Sequence, residues 1–116
     1  MWAEVFHEPC FRERHYADLF TQMWSAPQRT FKKTELYGLL APLSSRTAAR
    51  HVQQALEFGL LLEVPSRSDR RQLRVSLSDE CALRMERYLD LALVRLTRHL
   101  AQRHTLPPPA VTRALR

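Results

Sequence analysis

Two groups of side chains in this sequence could do recognition chemistry. Arg46, Arg50, Gln53 and Gln54 recur at spacings of three and four, so one helix would present them on a single face. Guanidinium groups there match the paired acceptors of guanine, and carboxamides match adenine. Ser45, Thr47 and His51 border the same face and could reach a phosphate or a base. The second group, Arg67, Arg70, Arg71 and Arg74, crowds a short stretch in which Asp69 is the one acid. Guanidinium groups at that density suit phosphate oxygens, or a narrow minor groove with its enhanced negative potential. The plainer alternatives are a solvated helix face and a hairpin kept soluble by charge.

Other chemistries find little support. Two cysteines, Cys10 and Cys81, make neither a disulfide framework nor a zinc motif. His7, His15, His51, His99 and His104 show no local metal-ligand spacing, and His99 and His104 lie five apart, off a common helix face. No metal or other cofactor is expected. With two glycines in the chain, phosphate-cradling loops are excluded. No nucleophile stands beside an evident base, so the expectation is a protein that is not an enzyme. Tyr16, Phe20, Trp24 and Tyr88 could line a pocket for a small-molecule effector, although core packing is the simpler use of such aromatics.

The elements that must position these groups follow from the apolar pattern. Ala48, Val52, Ala55 and Leu56 give a buried stripe opposite the arginines, which makes Ser45 to Phe58 a helix. Ser44 can cap its first turn, and Gly59 suits the left-handed residue past its end. Lys33 to Leu40, with Leu36, Leu39 and Leu40 inward, is a second short helix joined to the first through Ala41-Pro42-Leu43. This is a helix-turn-helix arrangement. Leu60 to Ser78 reads as a two-stranded ribbon with the arginines at its tip. Leu73, Val75 and Leu77 alternate there with Gln72, Arg74 and Ser76, giving one buried and one wet face.

The helix, the Gly59-Leu60-Leu61 exit, Asp69-Arg70-Arg71, and Val75-Ser76-Leu77-Ser78 resemble the core of the MarR-type winged-helix transcription regulators. PadR-like regulators are the near alternative. The resemblance spans about Phe31 to Met85. It implies that the helix at Ser45 to Phe58 reads a major groove, that the ribbon is a wing gripping the flanking backbone, and that Asp69 fixes a neighbouring arginine by an ion pair. It also raises peroxide sensing at Cys10, near an expected helix start, although Glu8 and Glu13 oppose thiolate formation there. Where the family shows Leu-Thr and then Gly three residues later, this chain has Leu77-Ser78 and Cys81. Ser78 can still cap the next helix, and Cys81 reads as a packing residue.

Before the motif, Pro9 suits a first helical position, and a helix from about Cys10 to Ser25 turns Tyr16, Phe20, Met23 and Trp24 inward, with Leu19 at the edge. Residues 1 to 8 fit an arm or a helical turn. Phe31 is placed to form a short extra strand. After the motif, about 79–104 is one long helix with a stripe of Met85, Tyr88, Leu89, Ala92, Leu96 and Leu100. Further apolar residues on its other sides exceed what a small core can cover, so this helix is read as the homodimer element. A Pro-containing, flexible tail occupies 105–116.

One domain of 116 residues is expected, with 45% hydrophobic residues to fill its core. The net charge of +6 favours an anionic partner. Residues 1–43 are neutral in sum, so the excess belongs to the motif and to the residues C-terminal to it. Met1-Trp2-Ala3-Glu4 has no basic start or apolar run, and no stretch approaches membrane-spanning length. A cytoplasmic protein without a membrane partner is therefore expected. The combined reading is a mainly α fold with a small β-ribbon (α+β), a winged helix-turn-helix. It would act as a homodimeric, sequence-specific regulator of double-stranded DNA. The alternative is a protein-interaction adaptor on the same scaffold.

Overall fold

The computed structural model describes residues 1–105, with side chains to residue 103. Its elements are α1 (Trp2–Val5), a 3₁₀ turn (Pro9–Arg12), α2 (Arg14–Ser25), α3 (Lys33–Leu39), α4 (Ser45–Glu57), β1 (Leu61–Pro65), β2 (Leu73–Leu77) and α5 (Asp79–Thr105). Apart from Thr105, which ends α5, the expected tail lies outside the described residues.

Helix α4 begins and ends as its sequence dictates. The Ser44 hydroxyl accepts from the Thr47 N–H at 3.2 Å. At the other end Gly59 takes φ +75°, and the chain closes in a Schellman pattern, with Leu60 N–H on Ala55 O and Gly59 N–H on Leu56 O. That turn delivers the chain directly into β1. Strand β1 pairs antiparallel with β2 from Leu61↔Leu77 to Pro65↔Leu73. Phe31 adds a bridge to Val75 through two backbone hydrogen bonds of 2.7 and 2.8 Å, as its expected strand role required.

The core gathers Phe6, Phe11, Tyr16, Leu19, Phe20, Leu36, Leu40, Val52, Leu60, Leu61, Val75 and Met85, each essentially without exposed surface. One side of every element after α1 contributes to it. Strand β2 meets the core at Val75, whereas Leu73, two residues nearer the tip, is 54% exposed. The buried face expected along the whole strand therefore stops short, because the ribbon overhangs the body.

The N-terminal segment departs most from expectation. Helix α2 starts at Arg14, not near Cys10. The Trp2 indole N–H donates to the Phe11 carbonyl at 2.6 Å, taking the acceptor that a continuous helix would offer to His15. Trp2 also stacks on Phe6, with centroids 4.2 Å apart, and meets Tyr88 edge-on at 4.9 Å. Glu8 accepts two hydrogen bonds from Arg84, at 2.8 and 3.0 Å, and Glu4 accepts one from Arg95 at 2.7 Å. The first residues are thus a strap along α5 as far as Arg95.

In α2, Leu19 completes the buried stripe with Tyr16, Phe20 and Met23, while Trp24 is 41% exposed. Helix α5, with 27 residues, is about 40 Å long. Beyond Ala92 its described side chains are all exposed, so its second half projects from the body. No helix among the described residues is long and apolar enough to cross a membrane.

Candidate nucleic-acid interface

The face of α4 opposite Ala48, Val52 and Ala55 presents Ser45, Arg46, Arg50 and Gln53 to solvent. Arg46 and Arg50 stand one turn apart, with Gln53 on the next turn. Gln53 donates weakly to Glu57 at 3.4 Å. Thr47 is half-buried, and its hydroxyl accepts from Ser44 at 3.0 Å in the helix cap.

The ribbon tip holds Arg67, Arg70 and Arg71, all exposed. Its turn is closed by Ser66 N–H on Gln72 O at 2.8 Å and by Gln72 N–H on Asp69 O at 3.0 Å. Asp69 organises the tip through the backbone: its Oδ1 accepts from the Arg71 N–H at 3.0 Å. The ion pair expected from the resemblance is replaced by this turn contact, so neighbouring guanidinium groups stay available. Among the described residues, Arg46, Arg50, Arg67, Arg70 and Arg71 have no carboxylate partner, whereas Arg74, Arg84 and Arg95 do.

Three residues expected on this surface are turned toward the body. The Arg74 guanidinium donates to Thr30 Oγ1 at 2.9 Å and Thr30 O at 3.0 Å, and it lies 3.4 Å from Glu35. It ties β2 to the start of α3 and is not at the tip. Gln54 lies on the flank of α4 that faces α2, where its Oε1 accepts from the Tyr16 hydroxyl at 2.7 Å. His51 is 12% exposed, with Nδ1 2.9 Å from Thr47 O and Nε2 3.0 Å from Glu13 Oε2. The Tyr16 hydroxyl also reaches the His51 carbonyl at 3.1 Å. Burial keeps the Tyr16 phenol protonated far above its ordinary range, so it serves as a donor throughout.

Reading the sequence by period missed these clamps. Helical phase places Gln54 and His51 on flanks, and only the neighbouring element decides which flank is covered. One signal was present: a tyrosine at an inward position needs a partner for its hydroxyl. Glu13 carries a further junction. It contacts both His51 and His15, with His15 Nδ1 at 2.7 Å from Oε1. Partial burial opposes its ionisation, but the hydrogen bonds from His15 and His51 outweigh that and hold the carboxyl below its ordinary value.

The expected dimer stripe is divided. Met85 lies inside the monomer's own core, and Tyr88 is half-buried against Trp2. Leu89 and Ala92 are half-buried, while Leu96 and Leu100 are open. Leu93 and Val94 add exposed apolar surface on the projecting half. The N-terminal strap explains the shift: it covers the first half of α5 from within the same chain.

Core packing, the simpler use of the four aromatics, holds for Tyr16 and Phe20. Trp24 borders an open cleft of about 630 Å³, shared with Val64, Leu77, Ala82 and Glu86. Cys10 sits in a four-residue 3₁₀ turn, not at the start of a long helix, so the dipole argument for thiol activation lapses. Cys81 is fully buried in the packing place expected for it, and burial pushes its thiol up to about 12.

No family model and no curated protein matches the chain. Solved structures share its architecture, two of them of one protein. The heme sensor protein PefR in complex with heme and carbon monoxide superposes with a TM-score of 0.56 at 16% identity, over 87% of this chain and 77% of that one. Heme-free PefR gives 0.54 at 16% identity, over 82% and 83%. At such identity the likeness is one of fold, and it bears out a winged helix-turn-helix followed by a long helix.

Proposed function

We propose that this chain is a sequence-specific, double-stranded DNA-binding transcription regulator of the MarR-like kind, acting as a homodimer and without catalytic activity. The observation that carries this reading is that five exposed guanidinium groups without carboxylate partners cluster on α4 and the adjoining ribbon tip. Arg46 and Arg50 stand on the outer face of α4, and Arg67, Arg70 and Arg71 stand on the wing reached one glycine later. Arg74, Arg84 and Arg95, by contrast, are held in ion pairs. Crowding the other five on two adjoining elements costs self-repulsion that an anion at the surface would relieve. Helix α4 lies in the groove and supplies base contacts, while the wing supplies phosphate contacts and affinity. The second half of α5 joins two copies and sets the separation of their recognition helices. The likeness to a heme sensor makes a small-molecule effector a natural addition to this reading.

The adaptor alternative uses the same basic face for an acidic protein. The test is the pair Arg46→Ala and Arg50→Ala, titrated against a preferred duplex and against a mixed-sequence duplex. A bidentate base contact carries about 1–3 kcal/mol of discrimination. Each variant should therefore lose preferred binding and largely keep mixed-sequence binding. Equal losses on both duplexes would reduce the two residues to phosphate contacts. A wild type that holds polyglutamate as tightly as duplex would favour the adaptor.

A further inference from the structure

The junction of Glu13, His15 and His51 does not belong to the exposed basic face. Its ligand-capable atoms lie within 4.8 Å of one another, although His51 is 36 residues from His15 and on a different helix. The spacing of histidines along the sequence gives no hint of it.

His51 is placed between two acceptors. The Thr47 carbonyl at 2.9 Å can only accept, so Nδ1 carries a proton. In the neutral ring this leaves a lone pair on Nε2, aimed at Glu13 Oε2 across 3.0 Å. A proton on Nε2 makes the hydrogen bond to Glu13 described above, and a metal ion can take its place between the same two atoms. Glu13 offers its other oxygen to His15 Nδ1 at 2.7 Å, so one carboxylate spans both imidazoles. Support of a ring N–H by a backbone carbonyl is how metal-binding histidines are commonly oriented.

We propose that Glu13, His15 and His51 form a binding site for a divalent transition-metal ion of the zinc class. Two imidazole nitrogens and one carboxylate oxygen are a zinc donor set, with a fourth position for water. Calcium and magnesium call for oxygen-rich sites, so imidazole donors select against them. Bonds of about 2.1 Å set ligand atoms about 3.4 Å apart in a tetrahedral site. Closure from the observed spacing falls to Glu13 and His15, whose side chains are partly exposed, while the Thr47 contact holds His51 in place. The ion would bind α4 to the N-terminal end of α2 and hold the recognition helix on the body. That last consequence rests on the DNA-binding reading, whereas metal binding itself does not.

The test uses the full chain, stripped of metal by a chelator and titrated with cobalt(II), then with zinc against a chromophoric chelator. We expect the visible bands of low-coordinate cobalt, a stoichiometry of one ion per chain, and displacement by zinc. His51→Gln and His15→Gln should weaken binding at least tenfold, while His99→Gln should leave it intact. The amide introduced by His51→Gln can still donate to the Thr47 carbonyl, and circular dichroism checks the fold. Zinc should also raise the Tm of wild type and leave that of His51→Gln unmoved. Absence of the cobalt bands, binding retained in His51→Gln, or equal loss in His99→Gln would overturn the site. In a separate arm, zinc should tighten duplex binding by wild type and not by His51→Gln. No change there would overturn the coupling alone, because the cobalt titration involves no DNA.

Discussion

The wing offers a quantitative test because its arginines are sorted by structure. Arg70 and Arg71 are exposed at the tip, while Arg74 is held by Thr30 and Glu35. Each phosphate contact releases condensed counterion and adds about 0.9 to the slope of log K against log salt. Replacing both Arg70 and Arg71 by Ala should therefore flatten that slope by about 1.8 for each wing engaged. From about 50 to about 200 mM salt, wild type should lose about twelvefold more affinity than the variant per wing. The substitution is structurally mild, since the hydrogen bond to Asp69 uses the Arg71 backbone N–H. Arg74→Ala should behave in the opposite way. It should leave the slope unchanged and cost about 1.5–3 kcal/mol of stability, the worth of hydrogen bonds to a charged group. Fluorescence anisotropy of a labelled duplex across a salt series reads the slopes, and thermal unfolding reads the stabilities. A folded Arg70/Arg71 variant that keeps the wild-type slope, or an Arg74→Ala variant that flattens it as much, would refute the assignment of phosphate contacts to the ribbon tip.

Two further outcomes are expected. Leu96→Glu with Leu100→Glu, both on the projecting half of α5, should give a folded protein whose mass by light scattering is one chain against two for wild type; a wild type already monomeric at high concentration would sink the dimer. The hydrogen bond from Arg84 holds the Glu8 carboxyl below its ordinary 4.5. Stability from this pair is thus fully present above that value and lost as pH falls through the lower folded value. Between neutral pH and 4.5 wild type should exceed Glu8→Gln by about 1.5–3 kcal/mol, and the gap should close on further acidification; parallel stability curves would show that the pair does not report folding.

The local signals in the sequence were strong where one element decides its own fate. The Ser44 cap, the 3.6-residue period of α4 and the glycine exit are all backbone matters, and they recur in the structure as hydrogen bonds and a positive φ. What could not be read was the choice between flanks. Leu19 and Trp24 sit about equally far from the centre of the α2 stripe; bulk favoured Trp24, yet the core took Leu19. Gln54 and His51 are polar and border an exposed face, but α2 lies along their side and claims them. The fold-back of α1 on α5 depends on Trp2, Glu4 and Glu8 meeting partners more than 75 residues away. Such contacts leave no period in the sequence. They nevertheless decide how much of the apolar surface of α5 is left exposed.

The central claim is that the outer face of α4 reads base sequence. Selection of bound duplexes from a random pool, at physiological salt and through several rounds, tests it with no operator assumed. An enriched, roughly palindromic motif, recovered by wild type and lost when Arg46 and Arg50 are both replaced by Ala, is the predicted result. A bound pool as random as the input would contradict the claim.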